Sequence, residues 1–313
     1  MNPERKVQPK FSIGWAMAAL GLLAAIGQFD RWLLTFPDRA ELGWRAARID
    51  AAPVAFGARG FVPFRLAGAW RLTSADPRFG GISALAIEDG RLLALTDSGV
   101  VIRFAPSRTS ARIGELPGGP GTNRFKVNRD SEALVADPGG RGWWVAFENR
   151  DELWLYDRSF ARALQRISLG ERPWRINSGI EGALAEGESL LLLHEAGDSF
   201  IRVTGTRART LPIAGAAVRL SDAVDVGGGR RLIVERRLTA FGFRNALVEL
   251  EREGAAYRLG RRYPLPLGRR DNVEAAAIER LPGGGSRLWL MTDDNFHGQM
   301  RTLLIALDLP DRL

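Results

Sequence analysis

The sequence predicts an all-β protein: a β-propeller, most simply of five four-stranded blades, preceded by an N-terminal hydrophobic helix. Three observations predict it. Helical periodicity is almost absent after Phe61, short apolar runs alternate with glycine-rich turns, and one hairpin pattern recurs five times. Six blades would follow if two repeats are merged in this reading.

The chain opens with a basic head, "MNPERKVQPK", residues 1–10. Phe11 to Ile26 follow as 16 residues without a charge. That length is at the short edge for a membrane span and suits a secretory apolar region. Residues 11–27 therefore read as a signal peptide or an uncleaved membrane anchor. Ala25 and Gly27 are small residues two apart, which leaves cleavage after Gly27 open. The head would stay cytoplasmic and the rest would cross. The expected location is exported, and periplasmic or periplasm-facing for a Gram-negative source. Residues 28–60 read as a linker and 61–313 as the propeller domain.

The five repeats begin "ISALAIEDGRLLALTDSG", "DSEALVADPGGRGWWVAFENR", "GIEGALAEGESLLLLHEAG", "LSDAVDVGGGRRLIVERR" and "DNVEAAAIERLPGGGSRLWLMTDDNF". Each is a strand of small residues, a turn, a strongly apolar strand and then an acid. The anchor positions Ser83, Glu132, Glu181, Ser221 and Glu274 are 49, 49, 40 and 53 residues apart. Such spacing suits a blade of about 40–50 residues. Third and fourth strands follow in four repeats, whereas the fifth ends after "RTLLIALDL". The lone strand Phe64 to Ser74 can fill that gap and close the ring, leaving no open sheet edge.

Successive strands are antiparallel, so the start of each first strand and the end of each second strand lie at one rim. Two columns of side chains should converge there. One is Ser83, Glu132, Glu181, Ser221 and Glu274. The other is Asp97, Glu148, Glu195, Glu235 and Asp293, an acid in every repeat. Carboxylates crowded in one mouth either protonate or take a cation. There is no cysteine and only His194 and His297, so the donor set is oxygen. Oxygen donors favour calcium, with magnesium or manganese next. The expected metal ligands are Asp97, Glu132, Glu148, Glu181, Glu195, Glu235, Glu274 and Asp293, with Asn149, Asn177, Asn272 and Asn295 as neutral donors nearby.

Arginines beside the acids suit an anionic substrate, since the guanidinium fork matches phosphate and carboxylate. Arg129, Arg175 and Arg270 are the expected substrate contacts. Glu181, Glu274 and His297 are the expected catalytic groups. A metal and arginines in one mouth could hold a phosphate ester and activate water against it. The same acids and arginines could instead neutralise one another and lock the blades. The formal charge of +8 comes almost wholly from arginine, lysine occurring only at Lys6, Lys10 and Lys126. No basic run with interleaved aromatics accompanies it, which argues against a nucleic-acid partner. "GDSF" at Gly197 to Phe200 has no sequence-adjacent base and carries no nucleophile argument.

The stretches "GGISALAIEDGRLLALTDSG", "RDSEALVAD…GWWVAFE", "GIEGALAEG…LLLLHE" and "DNVEAAAIE…RLWLMTDDNF" resemble the phytase-like domain, the "esterase-like activity of phytase" family of bacterial proteins. The resemblance spans about Phe64 to Leu309. It implies an exported β-propeller with phosphoesterase or esterase activity. Ser83 and Ser221 stand where other repeats offer Glu, so the number of metal sites stays open. The expected function is that of a calcium-dependent hydrolase of phosphoric or carboxylic esters. The alternatives are a non-catalytic envelope binding or scaffold propeller and a metal-dependent lactonase-type hydrolase.

Overall fold

A computed structural model describes residues 43–106, 109–170, 179–215, 219–254 and 256–310. The N-terminal apolar segment, Arg175 and Asn177 lie outside the described residues. Short strands β1 (Arg45–Arg48) and β2 (Asp50–Pro53) precede β3 (Arg65–Thr73). The first repeat folds as β4 (Ile82–Glu88), β5 (Arg91–Thr96), β6 (Val100–Phe104) and β7 (Ser110–Glu115). The second gives β8 (Ser131–Ala136), β9 (Gly142–Phe147), β10 (Glu152–Asp157) and β11 (Ala163–Ser168). The third gives β12 (Ile180–Glu186), β13 (Ser189–His194), β14 (Ser199–Thr204) and β15 (Arg207–Ala214). The fourth gives β16 (Leu220–Gly227), β17 (Arg230–Thr239), β18 (Gly242–Glu253) and β19 (Ala256–Pro264). The fifth supplies β20 (Asn272–Arg280), β21 (Ser286–Asp293) and β22 (Thr302–Asp308).

Each repeat is an antiparallel meander. The third and fourth meanders join into one sheet through a short parallel pairing of Ile213 and Ala214 with Tyr257 and Arg258. The fifth has three strands of its own, and β3 pairs with β22 as its fourth. The strand ahead of the first repeat thus sits where the sequence placed it. Residues 45–53, expected as linker, instead extend two sheets: β1 adds to β7 and β2 to β3.

The innermost strands touch in cyclic order, β4 to β8, β12, β16, β20 and back to β4, which makes the molecule propeller-like. Side-chain alternation explains why. Along β13, Leu190 and Leu192 face the second repeat while Leu191 and Leu193 face the fourth. Along β9, Trp144 faces the third repeat and Trp143 faces the first. A strand buried on both faces reads as a continuous apolar run, not as an alternating one. Gly182 marks a close approach of two inner strands, β12 and β16. A Cβ there would sit 3.0 Å from the backbone of Asp222 on β16.

Candidate functional site

Five identical irregularities aim side chains into the mouth of the ring. In every repeat the inner strand carries one extra residue near its start, and these extra residues are Ser83, Glu132, Glu181, Ser221 and Glu274. A β-bulge twists the strand and re-aims its side chain. The first predicted column is therefore a column of bulges. The ladder then gives the second column. Thr96, Phe147, His194, Glu235 and Thr292 pair with the residue before each bulge. The next residues, Asp97, Glu148, Glu195, Arg236 and Asp293, reach the mouth.

This register corrects the fourth repeat. Glu235 lies opposite Leu220, on the other face of its strand, buried and ion-paired with Arg262. Arg236 takes the position the acids hold elsewhere. The sequence "VERR" offered an acid one residue too early, and a one-residue slip reverses the side a strand residue faces.

The mouth is a cavity of about 150 Å³. Eight carboxylates among the described residues line it: Asp97, Asp130, Glu132, Glu148, Glu181, Glu195, Glu274 and Asp293. Among the described residues, only Lys126 and Arg236 bring positive charge to the lining. Lys126 stands in a single 3-10 turn at Lys126–Asn128 and reaches Asp97 at 3.0 Å and Asp130 at 2.5 Å. Arg236 binds Glu274 and lies 3.5 Å from Glu195 and 3.9 Å from Glu181. Glu195 also meets Arg219 at 2.5 Å. Asn149 donates to Asp130 at 2.7 Å, and the Asn295 N–H donates to Asp293 at 2.7 Å.

The charge is unevenly spread around the ring. In the second repeat the residue before the inner strand, the bulge and the rim position are Asp130, Glu132 and Glu148. In the fourth repeat the same three positions are Arg219, Ser221 and Arg236. One oxygen each of Asp130, Glu132 and Glu148 lies within 4.8 Å of the others, a spacing that could hold a metal ion. Asp97 Oδ1 is buried without a hydrogen-bond partner, so a further oxygen donor is uncommitted beside them.

Burial, followed by neighbouring carboxylates, pushes Glu148 up to about 10 and lifts Glu132 well above the usual range. Burial likewise raises Asp97 to about 6, although Lys126 opposes it. Glu181 and Asp293 are raised well above the ordinary range, again chiefly by burial. A mouth in this state holds protons where a cation would otherwise sit.

Other expected residues lie elsewhere. Arg129 is buried beneath Gly119 and donates to the carbonyls of Pro120 at 2.7 Å and Asn128 at 3.3 Å, so it braces a loop. Arg270 is exposed on the β19–β20 loop, outside the mouth lining. His297 is exposed, and its Nδ1 accepts the Gln299 N–H at 3.3 Å. The two serines at bulges do not face a ligand. Ser83 donates to the Ser131 carbonyl at 2.6 Å and Ser221 to the Val273 carbonyl at 2.9 Å, each stitching its strand to the next repeat. Asp130 and Lys126 were missed by the sequence reading. Lys126 carried a signal, being the one lysine in the domain of an arginine-rich chain.

An all-β, propeller-like ring with an acidic, bulge-lined mouth defines the class of protein. Within it, residues 77–296 match the model of the Phytase-like family, described as "Esterase-like activity of phytase". The match takes in most of the chain, which belongs to that family. No curated protein matches the sequence. Among solved structures, glutaminyl cyclase of Myxococcus xanthus superposes with a TM-score of 0.51 at 12% identity, over 86% of this chain and 99% of that one. The catalytic domain of the GH62 alpha-L-arabinofuranosidase of Coprinopsis cinerea superposes at 0.53 and 10% identity, over 84% and 97%. Likeness at these identities is one of fold.

Proposed function

We propose that this chain is an exported, five-bladed propeller hydrolase that acts on phosphoric or carboxylic esters at the acidic mouth with a divalent cation, calcium first. One observation carries the reading: among the described residues eight carboxylates line one cavity with two cationic side chains among them. The donor chemistry fits a hard ion, being oxygen throughout and including the uncommitted Asp97 Oδ1. Asp130, Glu132 and Glu148 would hold the ion, with Asn149 fixing Asp130. A bound divalent ion supplies Lewis-acid polarisation of an ester oxygen and lowers the pKa of water. Glu181, kept protonated by burial, is placed to give its proton to a leaving oxygen. Arg236 is placed to orient an anionic group entering the mouth. Family membership supports an ester as substrate. The charged head and uncharged segment of the N-terminus support export, with attachment to the membrane if the segment is retained.

Calcium titration calorimetry, with turnover of p-nitrophenyl phosphate and p-nitrophenyl acetate in calcium and in EDTA, tests this. Saturable calcium binding, lost in Glu148→Gln, together with chelator-sensitive turnover of either ester is expected. Absence of both cation binding and turnover rejects the reading. A scaffold role is the second reading, because Arg236 ties together carboxylates of the third and fifth repeats. Under it, the Glu181→Gln, Glu195→Gln double variant loses stability to the same extent with and without calcium.

A further inference from the structure

The fourth repeat departs from the others at the rim. Its second and third strands run 10 and 12 residues, against five to eight in the first, second, third and fifth repeats. The extra length forms a hairpin that continues past the rim position Arg236 through the pairs Arg237–Arg244, Leu238–Phe243 and Thr239–Gly242. The hairpin tip is fastened down. The Phe243 N–H donates to the Arg269 carbonyl at 2.8 Å. The Thr239 hydroxyl donates to the Gly242 carbonyl at 2.7 Å. Gly242, at φ +105°, is pressed so closely that a Cβ would lie 2.2 Å from the Arg269 carbonyl oxygen.

Between this hairpin and the β19–β20 loop lies a second cavity of about 440 Å³, the size of a small-molecule site. Arg237, Arg244, Arg262 and Arg269 line it, and no carboxylate does among the described residues. Leu265 and Leu267 give it an apolar wall, and Phe241 stands at its edge, 68% exposed under the Arg269 guanidinium at 5.6 Å. Among the described residues only Arg262 of these four has a carboxylate partner, Glu235, which is not part of the lining. Arg237 and Arg244 face each other directly across the strands. Like charges in that position repel, and a bound anion relieves the repulsion.

We propose that this cavity binds an organic oxyanion, a carboxylate or phosphate joined to an apolar or aromatic group. The arginines take the oxyanion, and Phe241 with the leucine wall takes the apolar part. The site adjoins the mouth through consecutive residues of β17, Arg236 facing the mouth and Arg237 this cavity. It stands on its own lining and holds whether or not the mouth binds a metal.

Titration calorimetry on the full chain with phenyl phosphate and with benzoate tests it. Saturable binding of one or both is expected, and the tighter of the two names the oxyanion. The Arg237→Ala, Arg244→Ala double variant weakens it roughly tenfold or more. That variant melts no lower than the parent without ligand, because it removes a like-charge pair. Phe241→Ser weakens phenyl phosphate more than inorganic phosphate. Glu148→Gln keeps the anion binding unchanged, whatever it does to calcium. No saturable binding of either probe, or binding indifferent to the arginine variant, overturns the proposal. So does binding that disappears in Glu148→Gln or in EDTA, which would place the anion on a metal in the mouth.

Discussion

A guanidinium set among carboxylates decides how much of the mouth's charge is left for an outside cation. Arg236 serves Glu274, Glu195 and Glu181, and Lys126 serves Asp97 and Asp130. Glu132 and Glu148 form no ion pair with either among the described residues, and burial followed by neighbouring carboxylates raises both although Lys126 opposes it. Replacing Arg236 by the apolar, similarly long Met takes a cationic partner from Glu274 and Glu195. Loss of one partner from such a buried group costs about 3 kcal/mol. The Arg236→Met variant should therefore unfold at lower urea concentration at pH 8, with much of the loss recovered by millimolar calcium; recovery by calcium is the outcome that a merely steric role for Arg236 does not give. The pH dependence of the metal-free protein follows from the same residues. Asp97 at about 6, Glu148 at about 10, and Glu132, Glu181 and Asp293 all bind their protons more tightly folded than unfolded. Their contribution is complete below about pH 4 and is lost as pH rises through the folded values. In EDTA the melting temperature should fall steadily between pH 5 and pH 9. A flat or rising profile would mean that the mouth is ionised and already compensated.

At the scale of the element, the bulge is the unit that builds the mouth. The same extra residue appears in all five inner strands, yet its side chain does two jobs. In the second, third and fifth repeats a glutamate is aimed inward. In the first and fourth a serine hydroxyl is spent on the carbonyl of the neighbouring inner strand. Ser221→Ala should then cost about 1 kcal/mol of stability in a urea titration, the worth of one buried hydrogen bond. It should leave calcium affinity unchanged, and a loss of affinity would make Ser221 a contributor to the cation site. The anchor column was legible because the bulge residue opens a recognisable run, as in "SEALVA" or "VEAAAI". The rim column was legible in four repeats and slipped in the fourth, where residue type pointed to Glu235 and hydrogen-bond register to Arg236. Asp130 and Lys126 were not legible as site residues. They reach the mouth from the connection between the first and second repeats, whose path is set by packing rather than by strand period.

At the scale of the molecule, ring closure is the step on which the mouth depends. The strand count per repeat and the missing last strand could be read from apolar runs, because every inner strand is buried on both faces and leaves no alternation to confuse. The linker boundary could not: "RAAR" and "DAAP" pack only at sheet edges and carry little apolar signal. Their role in the ring is correspondingly small. β3 is different. It pairs with β22 from Thr302 to Asp308, buries Ala69 and Leu72, and sets Trp70 against Trp289 at 6.2 Å between ring centroids. Without it, β22 would show an open edge and the first and fifth repeats would lose part of the apolar cluster between them. A chain lacking residues 1–54 should keep a cooperative thermal transition, at a lower temperature because Ile49 is lost from that cluster. A chain lacking residues 1–74 should fail to give a soluble cooperative monomer. Adding a peptide of residues 64–74 should restore the transition by completing the fifth sheet, as strand addition does at other open edges. An unchanged melt in the shorter chain would show that the ring is held shut by contacts between inner strands alone, and calcium binding at the mouth would then survive the loss of β3.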